Sequence, residues 1–400
     1  MEILIKNCRV VDETKDFKGD IYITEGKIAD YGKDLNYPCP VIDASNLVVM
    51  PAFIDMHAHF REPGYTYKED IYTGSLAALK GGYTLVNLMA NTDPICSSLE
   101  VVDYVLNKSK EVDLIDVHQT LSITKDFDGQ TLEHLDSIDS RIKFISDDGK
   151  GVQSNLVMYQ VMKEAKEKGI TIIAHEEDEE IVDIDTRLSE NLMTLRDIYL
   201  SKLTGASLHL AHVSTKESIE FIRKAKKEIS NISCEVTPHH IVLYDMDYKV
   251  NPPIRKKTDV LGIIEGIKDG TVDVIATDHA PHSKEDKENG APGISGLETA
   301  FPICYTHLVR SRDISLNRLS QIMSAVPGRL MGANKGKIKV GYDGDIVLVD
   351  LDKEFRIDGI EFLSKGKNTP FNGMKVYGRV VATLRKGEIK YNGGINIDNR

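Results

Sequence analysis

Two histidines one residue apart follow an apolar run, and their spacing suits metal binding. His57 and His59 lie in the segment VMPAFIDMHAHFREPG, which spans residues 49–64. If the run continues as a β-strand, alternate side chains share a face, so His57, His59 and Arg61 point the same way. Two imidazoles can coordinate one cation, and a neighbouring guanidinium can bind a carboxylate through two hydrogen bonds.

The histidine pair is weak evidence by itself, because 12 histidines in 400 residues give about 0.4 such triplets by chance. However, further potential ligands stand at or near the ends of other apolar runs: Asp148 in RIKFISDD, His175 in ITIIAH, His212 in SLHLAHVS and Asp278 in VDVIATD. The set holds four imidazoles, two carboxylates and no thiolate. Such a set favours Zn²⁺, with Mn²⁺, Co²⁺ or Fe²⁺ as alternatives.

Six protein ligands exceed the number that one four-coordinate zinc ion takes. A two-metal site with a bridging carboxylate is therefore the simplest interpretation. Two cations that share a water lower its pKa and create a hydroxide nucleophile. Asp278 could then act as the general base for that water and return the proton to a leaving amide nitrogen.

Some neighbouring residues are ambiguous from sequence alone. Asp147 competes with Asp148 for the metal, and strand phase leaves the choice open. His282 follows Asp278 by four residues, in a loop over the mouth, and could donate a hydrogen bond to a substrate. The histidines at 239–240 are better explained by packing or by support of the site. The charge run in the 283–289 loop reads as a solvated flap.

Eight apolar runs of strand length alternate with helix-like segments between residues 51 and 280. The predicted strands end near His57–His59, Asn91, Thr120–Ser122, Asp148, His175, His212, Thr237 and Asp278. Intervals of about 27 to 40 residues are the rhythm of a (β/α)8 TIM-type barrel. Active-site groups of such barrels lie at the carboxyl ends of the strands, which is where the candidate ligands fall.

Both ends of the chain contain short alternating runs that are typical of antiparallel strands. We predict that residues 1–50 and 335–400 fold together as a small β-sandwich domain. Residues 51–334 would then form the barrel. The fold class is therefore α/β, a TIM-type barrel with a small β domain formed by the N- and C-terminal segments.

The overall composition narrows the classes of partner. Fractions of 41% hydrophobic and 28% charged residues are those of a globular protein, and the N-terminus does not resemble a signal peptide. A net charge of −12 disfavours nucleic acid and anionic membranes as partners, and leaves a small molecule as the expected ligand. Five scattered cysteines without a C-x-x-C pair favour a reducing, cytoplasmic location.

Several motifs together resemble the signatures of bacterial-type dihydroorotase, within the amidohydrolase superfamily. They are HAHFREPG, NLMANT, SDDGKGVQ, IIAHEE, LAHVSTK, EVTPHH, NPPIR, ATDHAPH and SGLETAFP. The resemblance runs from about residue 1 to 390. It implies a (β/α)8 barrel with a small β domain built from both termini, in agreement with the strand pattern.

The resemblance also implies a ligand arrangement with two zinc ions per subunit. His57 and His59 would bind one ion, and His175 and His212 the other. Asp148 would bridge them, because the second aspartate of the DDG motif is the ligand in similar proteins.

The implied reaction is the reversible cyclisation of N-carbamoyl-L-aspartate to L-dihydroorotate and water, in de novo pyrimidine (UMP) synthesis. Metal-bound hydroxide would attack the ring carbonyl in the hydrolytic direction, with Asp278 as the catalytic acid/base and a further metal contact. The implied substrate contacts are Arg61, Asn91, Asn251, His282 and the main chain at Pro292–Gly293. Arg61 would bind the substrate carboxylate.

The sequence departs from the family pattern at three places. Ala90 stands where relatives usually carry proline, and the 176–211 and 283–292 segments are short. None of these changes removes a metal ligand. We further expect a homodimer, with association with aspartate transcarbamoylase as a second interaction.

Two alternative functions fit parts of the pattern. Allantoinases and hydantoinases are related cyclic-amide hydrolases, but many bridge their metals with a carboxylated lysine where this chain has Asp148. Their substrates also lack the carboxylate that Arg61 would bind. A non-catalytic dihydroorotase-like partner of aspartate transcarbamoylase is the other alternative, and loss of metal histidines would mark it.

Overall fold

All eight predicted barrel strands are present in the computed structural model, which describes residues 2–398. In chain order the strands are β1 (Glu2–Val11), β2 (Asp16–Thr24), β3 (Lys27–Gly32), β4 (Val41–Asp43), β5 (Val48–Pro51), β6 (Phe53–Ala58), β7 (Tyr83–Leu88), β8 (Asp116–Gln119), β9 (Phe144–Ile145), β10 (Thr171–Ala174), β11 (Ser207–Leu210), β12 (Ile232–Val236), β13 (Val274–Ile275), β14 (Ile346–Arg356), β15 (Lys375–Arg385), β16 (Glu388–Asn392) and β17 (Ile397–Asp398).

The α-helices lie after every barrel strand from β6 to β12 except β8, which only 3₁₀ segments follow, and between β13 and β14. They are α1 (Ile71–Gly81), α2 (Leu99–Val112), α3 (Asn155–Lys168), α4 (Thr186–Thr204), α5 (Lys216–Ala225), α6 (Pro238–Val242), α7 (Lys257–Asp269), α8 (Lys284–Glu288), α9 (Ala300–Cys304), α10 (Leu316–Ser320) and α11 (Val326–Leu330). Short 3₁₀ or π segments lie at Lys125–Phe127, Glu133–Ser137, Tyr305–Val309, Gln321–Ala325 and Gly359–Glu361.

Strands β6 to β13 form the barrel. They pair in parallel as two sheets, one in the order β6-β7-β8 and the other in the order β13-β12-β11-β10-β9. Two single parallel bridges join the sheet edges, Leu121 with Ile145 and Ala58 with His279. The barrel is therefore closed, and the predicted (β/α)8 architecture is confirmed.

Side-chain alternation along β6 separates the barrel interior from the layer under the helices. Ile54 and Met56 pack inside the barrel with Phe144 and Ile173. Phe53 belongs instead to the core shared with the surrounding helices. Burial of each such side chain stabilises the fold by about 1.5–3 kcal/mol. The packed interior thus holds the strand ends rigidly, and polar side chains at those ends can keep fixed positions.

Strands from both chain ends share one nine-stranded sheet. Its main path runs β16-β15-β14-β5-β1-β2-β3, with β4 and β17 joined at the side. Along β14, Val347 and Val349 face the barrel core, whereas Ile346 and Leu348 face a separate core within the sheet domain. The sheet therefore packs directly against the barrel. The exact bounds of the two domains remain a prediction.

All five cysteines are free and buried, in agreement with the sequence prediction that they form no disulfide framework. Cys8 and Cys39 belong to cores of the sheet domain. Cys96, Cys234 and Cys304 belong to the barrel core. None of the helices formed by residues 2–398 combines the length and apolar character needed to span a bilayer.

Candidate active site

Four predicted metal-binding histidines surround Asp148 at the carboxyl end of the barrel. The Asp148 Oδ1 atom lies 3.3 Å from both His57 Nε2 and His175 Nδ1. The same oxygen lies 3.5 Å from His212 Nε2, and Oδ2 lies 3.5 Å from His59 Nε2. The carboxylate is thus placed where it can contact four histidines from the ends of three strands, β6, β10 and β11.

Asp278 faces the histidine pair from the end of the last barrel strand. Its Oδ1 lies 3.1 Å from His59 Nε2 and 3.8 Å from His57 Nε2. Two triads therefore hold ligand atoms within 4.8 Å of one another: His57, Asp148 and His212, and His57, His59 and Asp278. His57 belongs to both triads. The geometry accommodates two adjacent cations as well as one.

The polar groups of this site fit a bound metal. Asp148 and Asp278 are buried, and His57 Nε2 has no hydrogen-bond partner among the residues that the structure describes. Burial opposes the charge of Asp278, but the hydrogen bond with His59 and the charge of His57 outweigh it and lower its pKa. Buried carboxylates that stay ionised need a compensating charge, and a cation among these ligands supplies it.

Asp147 does not face the histidines. Its carboxylate accepts hydrogen bonds from the main-chain N–H groups of Ile123, at 2.7 Å, and Thr124, at 3.1 Å. Burial raises the pKa of this carboxyl to about 6 despite those bonds. The structure therefore gives Asp147 the role of fixing the β8–β9 connection, and places Asp148 in the site.

Three of the candidate site residues have left-handed backbone conformations that are uncommon for residues with a Cβ. The φ angles are +61° at Arg61, +32° at His212 and +47° at Asp278. Such strain of about 1–3 kcal/mol each is concentrated at functional sites. Strand alternation does not extend to Arg61 as predicted, because β6 ends at Ala58. Arg61 reaches the site through the turn that follows.

A cavity of about 190 Å³ opens beside the metal ligands. Its lining includes every predicted substrate contact: Arg61, Asn91, Asn251, His282, Pro292 and Gly293. Gly149 and Ala280, which the sequence did not single out, complete the wall. The metal ligands on the lining are His59, Asp148, His175, His212 and Asp278. The cavity therefore has room for a small-molecule ligand beside the metal-ligand candidates.

Arg61 and His282 lie together on one wall of the cavity, where Arg61 Nη2 is 3.3 Å from His282 Nε2. Burial and the neighbouring Arg61 charge lower the pKa of His282 to about 3. The imidazole is therefore neutral at neutral pH. The positive charge of this wall is carried by the guanidinium, whose Nε is buried without a hydrogen-bond partner in residues 2–398.

The two asparagines contact the groups around the metal ligands. Asn91 Oδ1 lies 2.8 Å from His59 Nδ1, and Asn91 Nδ2 lies 3.5 Å from Asp148 Oδ2. Asn251 donates its amide to Glu177 Oε2. Asn91, on the cavity lining, can therefore orient the His59 ring through its oxygen while its amide nitrogen contacts Asp148.

The sequence analysis did not assign Glu235, although it is fully buried beside the metal ligands. Its Oε1 lies 2.7 Å from His57 Nδ1, and its Oε2 lies 3.1 Å from His209 Nε2. The charge of His57 outweighs burial and lowers the Glu235 pKa to about 2. A carboxylate that accepts from Nδ1 turns Nε2 of His57 towards the metal site. The sequence feature that could have identified Glu235 is the presence of a glutamate within the apolar run ISCEV.

Replacement of Glu235 by glutamine is expected to weaken metal binding about 10–100-fold. Glutamine keeps the size of the side chain but offers one acceptor atom to two imidazole N–H groups. The measurement is metal affinity by competition with a chelator of known affinity. Glu133→Gln, the same change at an exposed position, should bind metal like the parent protein. Equal metal affinities of the parent protein and both variants would show that Glu235 contributes to packing and not to metal binding.

Comparisons with known proteins give matches that extend over most of this chain. The model of the amidohydrolase family matches residues 48–390. A curated dihydroorotase of Clostridium botulinum is 55% identical over 98% of this chain and 100% of its own length. The dihydroorotase of Bacillus subtilis is 40% identical, over 98% of this chain and 99% of its own length.

Solved structures of related hydrolases share the fold. L-hydantoinase (dihydropyrimidinase) from Arthrobacter aurescens superposes with a TM-score of 0.90 at 26% identity, covering 98% of this chain and 96% of its own. Dihydropyrimidinase from Brevibacillus agri gives a TM-score of 0.88, also at 26% identity, over 98% of this chain and 95% of its own.

Proposed function

The chain belongs to the amidohydrolase family and catalyses the dihydroorotase reaction, and on that premise we propose which residues perform each part of it. The reaction is the reversible cyclisation of N-carbamoyl-L-aspartate to L-dihydroorotate and water, in pyrimidine synthesis. The observation that carries the assignment of roles is one small cavity lined by Asp278, by the candidate metal ligands and by Arg61.

The family implies a metal cofactor, and we propose that it is Zn²⁺, with two ions per subunit. His57 and His59 would hold one ion, His175 and His212 the other, and Asp148 would bridge them. The donor set of imidazoles and carboxylates supports zinc. The chemistry that bound metal supplies is polarisation of the reacting carbonyl group and a lowered pKa of water.

Asp278 acts as the general acid and base. In the cyclisation direction, its carboxylate accepts a proton from the carbamoyl nitrogen as that nitrogen attacks the side-chain carboxyl carbon. The protonated Asp278 then delivers that proton to a carboxyl oxygen, which leaves as hydroxide and takes a second proton from solvent to become water. The low pKa of Asp278 keeps it ionised and ready to accept the proton. Ring opening uses the same steps in reverse.

Arg61 binds the carboxylate that remains outside the ring. The guanidinium lies on the wall of the cavity with its Nε buried, and its planar pair of N–H donors matches a carboxylate. His282 contributes a neutral imidazole beside it, and Asn91 contributes amide N–H groups. Asn251 and the main chain at Pro292–Gly293 position the remainder of the ring from the opposite loops.

The charged loop over the cavity is anchored rather than freely solvated, which corrects the sequence interpretation. Lys287 in α8 donates from Nζ to the main-chain carbonyls of Lys249 at 3.0 Å, Ala291 at 2.7 Å and Gly293 at 3.1 Å. These bonds join the segment before Asn251 to the Gly293 contact. Lys287 therefore sets the spacing of two substrate-binding loops.

Lys287→Met is expected to raise KM for dihydroorotate about tenfold and to leave kcat within about threefold of the parent value. One charged donor joins the loops but does not touch the reacting atoms, and such bonds are worth about 1.5–3 kcal/mol. Steady-state kinetics in both directions measure the effect. Lys284→Met, in the same helix with a 91% exposed side chain, is the matched control. If Lys287→Met leaves KM unchanged, Lys287 does not position the two substrate-binding loops.

Hydantoinase activity is the nearest alternative, since the solved structures above carry such names. Those proteins are 26% identical to this chain, whereas curated dihydroorotases reach 55% and 40% over nearly the full length. The chain also keeps all six candidate metal ligands, which argues against a non-catalytic partner protein.

Metal analysis of the purified protein, alongside assays on dihydroorotate, hydantoin and allantoin, tests the assignment. We expect about two zinc ions per chain and turnover of dihydroorotate at a kcat/KM at least a hundredfold higher than for the other two substrates. Preference for hydantoin or allantoin would overturn the proposed substrate contacts. A protein without bound metal or turnover of any of the three would overturn the catalytic role.

We also propose that the chain acts as a homodimer in the cytoplasm. The compartment is supported by free cysteines. Association with aspartate transcarbamoylase remains a prediction from the family resemblance.

A further inference from the structure

The outward face of α4 carries a continuous stripe of exposed apolar side chains. The stripe consists of Leu188, Leu192, Leu195, Tyr199 and Leu203, which are 42% to 61% exposed. The opposite face of the helix, with Met193 and Asp197 among others, is buried against the barrel. Five large apolar side chains at helical spacing on the solvent side are not needed for folding. Patches of this kind mark interaction surfaces.

The apolar surface continues on both sides of the stripe. Ile184, just before α4, is 85% exposed, and Leu156 and Tyr159 on the neighbouring α3 are 65% and 40% exposed. On the other side, a groove of about 260 Å³ lies between α4 and α5, with Phe221 and Ile229 in its wall. The stripe is therefore the centre of a wider patch with a groove that can receive side chains.

Four of the five stripe residues form two pairs that are placed symmetrically about one point on the helix. Leu188 and Leu203 lie at equal distances in sequence from the point between residues 195 and 196, and so do Leu192 and Tyr199. In an antiparallel pair of α4 helices, Leu188 would pack on the partner's Leu203, and Leu192 on the partner's Tyr199. A two-fold interface requires this self-complementarity.

Charges at the two ends of α4 favour the same arrangement. The segment 178–185 contains five acidic residues and no basic residue. At the other end, Lys202 in the last turn forms an ion pair with Glu228, and exposed Lys166 lies beside the terminal Gly205. Antiparallel packing places the acidic end of one copy near the basic end of the other. Parallel packing would bring acidic segments together, which is unfavourable.

We propose that the α4 face is the contact between two copies of this chain, packed antiparallel about a two-fold axis near Leu195. The helix that carries this interface also contacts a segment next to the active site. Glu190, on the inner face of α4, accepts hydrogen bonds from the N–H groups of Ser214 at 3.0 Å and Thr215 at 2.9 Å. These residues lie two and three positions after the metal-ligand candidate His212. Thus α4, whose outer face would form the dimer contact, holds the segment between β11 and α5 through its inner face.

Light scattering coupled to size-exclusion chromatography of the full chain tests the contact. The parent protein is expected at twice the mass of one chain, and the double variant Leu192→Glu, Tyr199→Glu at the mass of one chain. Leu261→Glu, which changes a 53% exposed leucine on α7, should remain a dimer. Circular dichroism shows whether each variant is folded. A monomeric parent protein, or a folded double variant that still dimerises, would overturn the proposal.

Cross-linking tests the antiparallel geometry without charge insertion at the interface. All native cysteines are buried, so a short thiol cross-linker reacts with engineered surface cysteines. Leu195→Cys should link to its own copy. Leu188→Cys should link efficiently only when mixed with Leu203→Cys. Self-linking of Leu188→Cys, or no linking at any of these positions, contradicts the two-fold arrangement and assigns the patch to another partner.

Discussion

Asp278→Asn is expected to retain bound metal while kcat falls by about 10²–10⁴-fold, the usual contribution of a general acid/base. Asparagine keeps the shape of the side chain and one oxygen that can face His59. It cannot accept the proton of the attacking nitrogen in the cyclisation direction. In the ring-opening direction it cannot return a proton to the leaving nitrogen. Both directions of the reaction should therefore lose a similar factor.

Metal content and both initial rates should be measured on the same protein preparation. Asp136→Asn, which makes the same change at an exposed position, should match the parent protein in both measurements. Wild-type turnover in Asp278→Asn would disprove the acid/base role. Loss of metal together with activity would instead make Asp278 chiefly a ligand, and that outcome would shift the proton transfer to another group.

Arg61→Ala is expected to reduce kcat/KM for dihydroorotate by about 10–100-fold, because a hydrogen bond to a charged group contributes about 1.5–3 kcal/mol. Hydrolysis of dihydrouracil, which has the same ring without the carboxylate, should change much less. The difference between the two substrates isolates the bond to the carboxylate from any general damage to the site. Parallel steady-state kinetics on both substrates provide the measurement.

Two further substitutions separate charge from shape at Arg61. Arg61→Met fills most of the vacated volume and should show the same selective loss as alanine. Arg61→Lys keeps the positive charge but not the planar pair of donors, so an intermediate loss is expected. Equal losses on both substrates for all three variants would identify Arg61 as a structural residue of the turn after β6.

The positions of the candidate ligands could be predicted because the barrel fold converts strand order into spatial proximity. Residues near the carboxyl ends of parallel barrel strands meet at one mouth, however far apart they are in the chain. His57, Asp148 and His212 are separated by long segments, yet their ligand atoms lie within 4.8 Å of one another. Apolar runs were sufficient to locate those strand ends.

Other features depend on contacts that local patterns do not encode. Strand β9 has two residues, so its phase could not distinguish Asp147 from Asp148. The distinction comes from hydrogen bonds between Asp147 and the chain at residues 123–124. Glu235 was missed for a similar reason, because a glutamate in a short strand resembles a solvent-facing residue until its imidazole partners are known.

The buried cysteines suit this protein to thiol-labelling measurements of local opening. Burial raises the pKa of the Cys8, Cys96 and Cys234 thiols to about 12, so an alkylating reagent reacts only after the surrounding structure opens. Cys8 reports on the terminal sheet, whereas Cys96 and Cys234 report on the barrel. Labelling rates at these sites would give separate opening free energies for the two substructures, and would show whether they unfold as one cooperative unit.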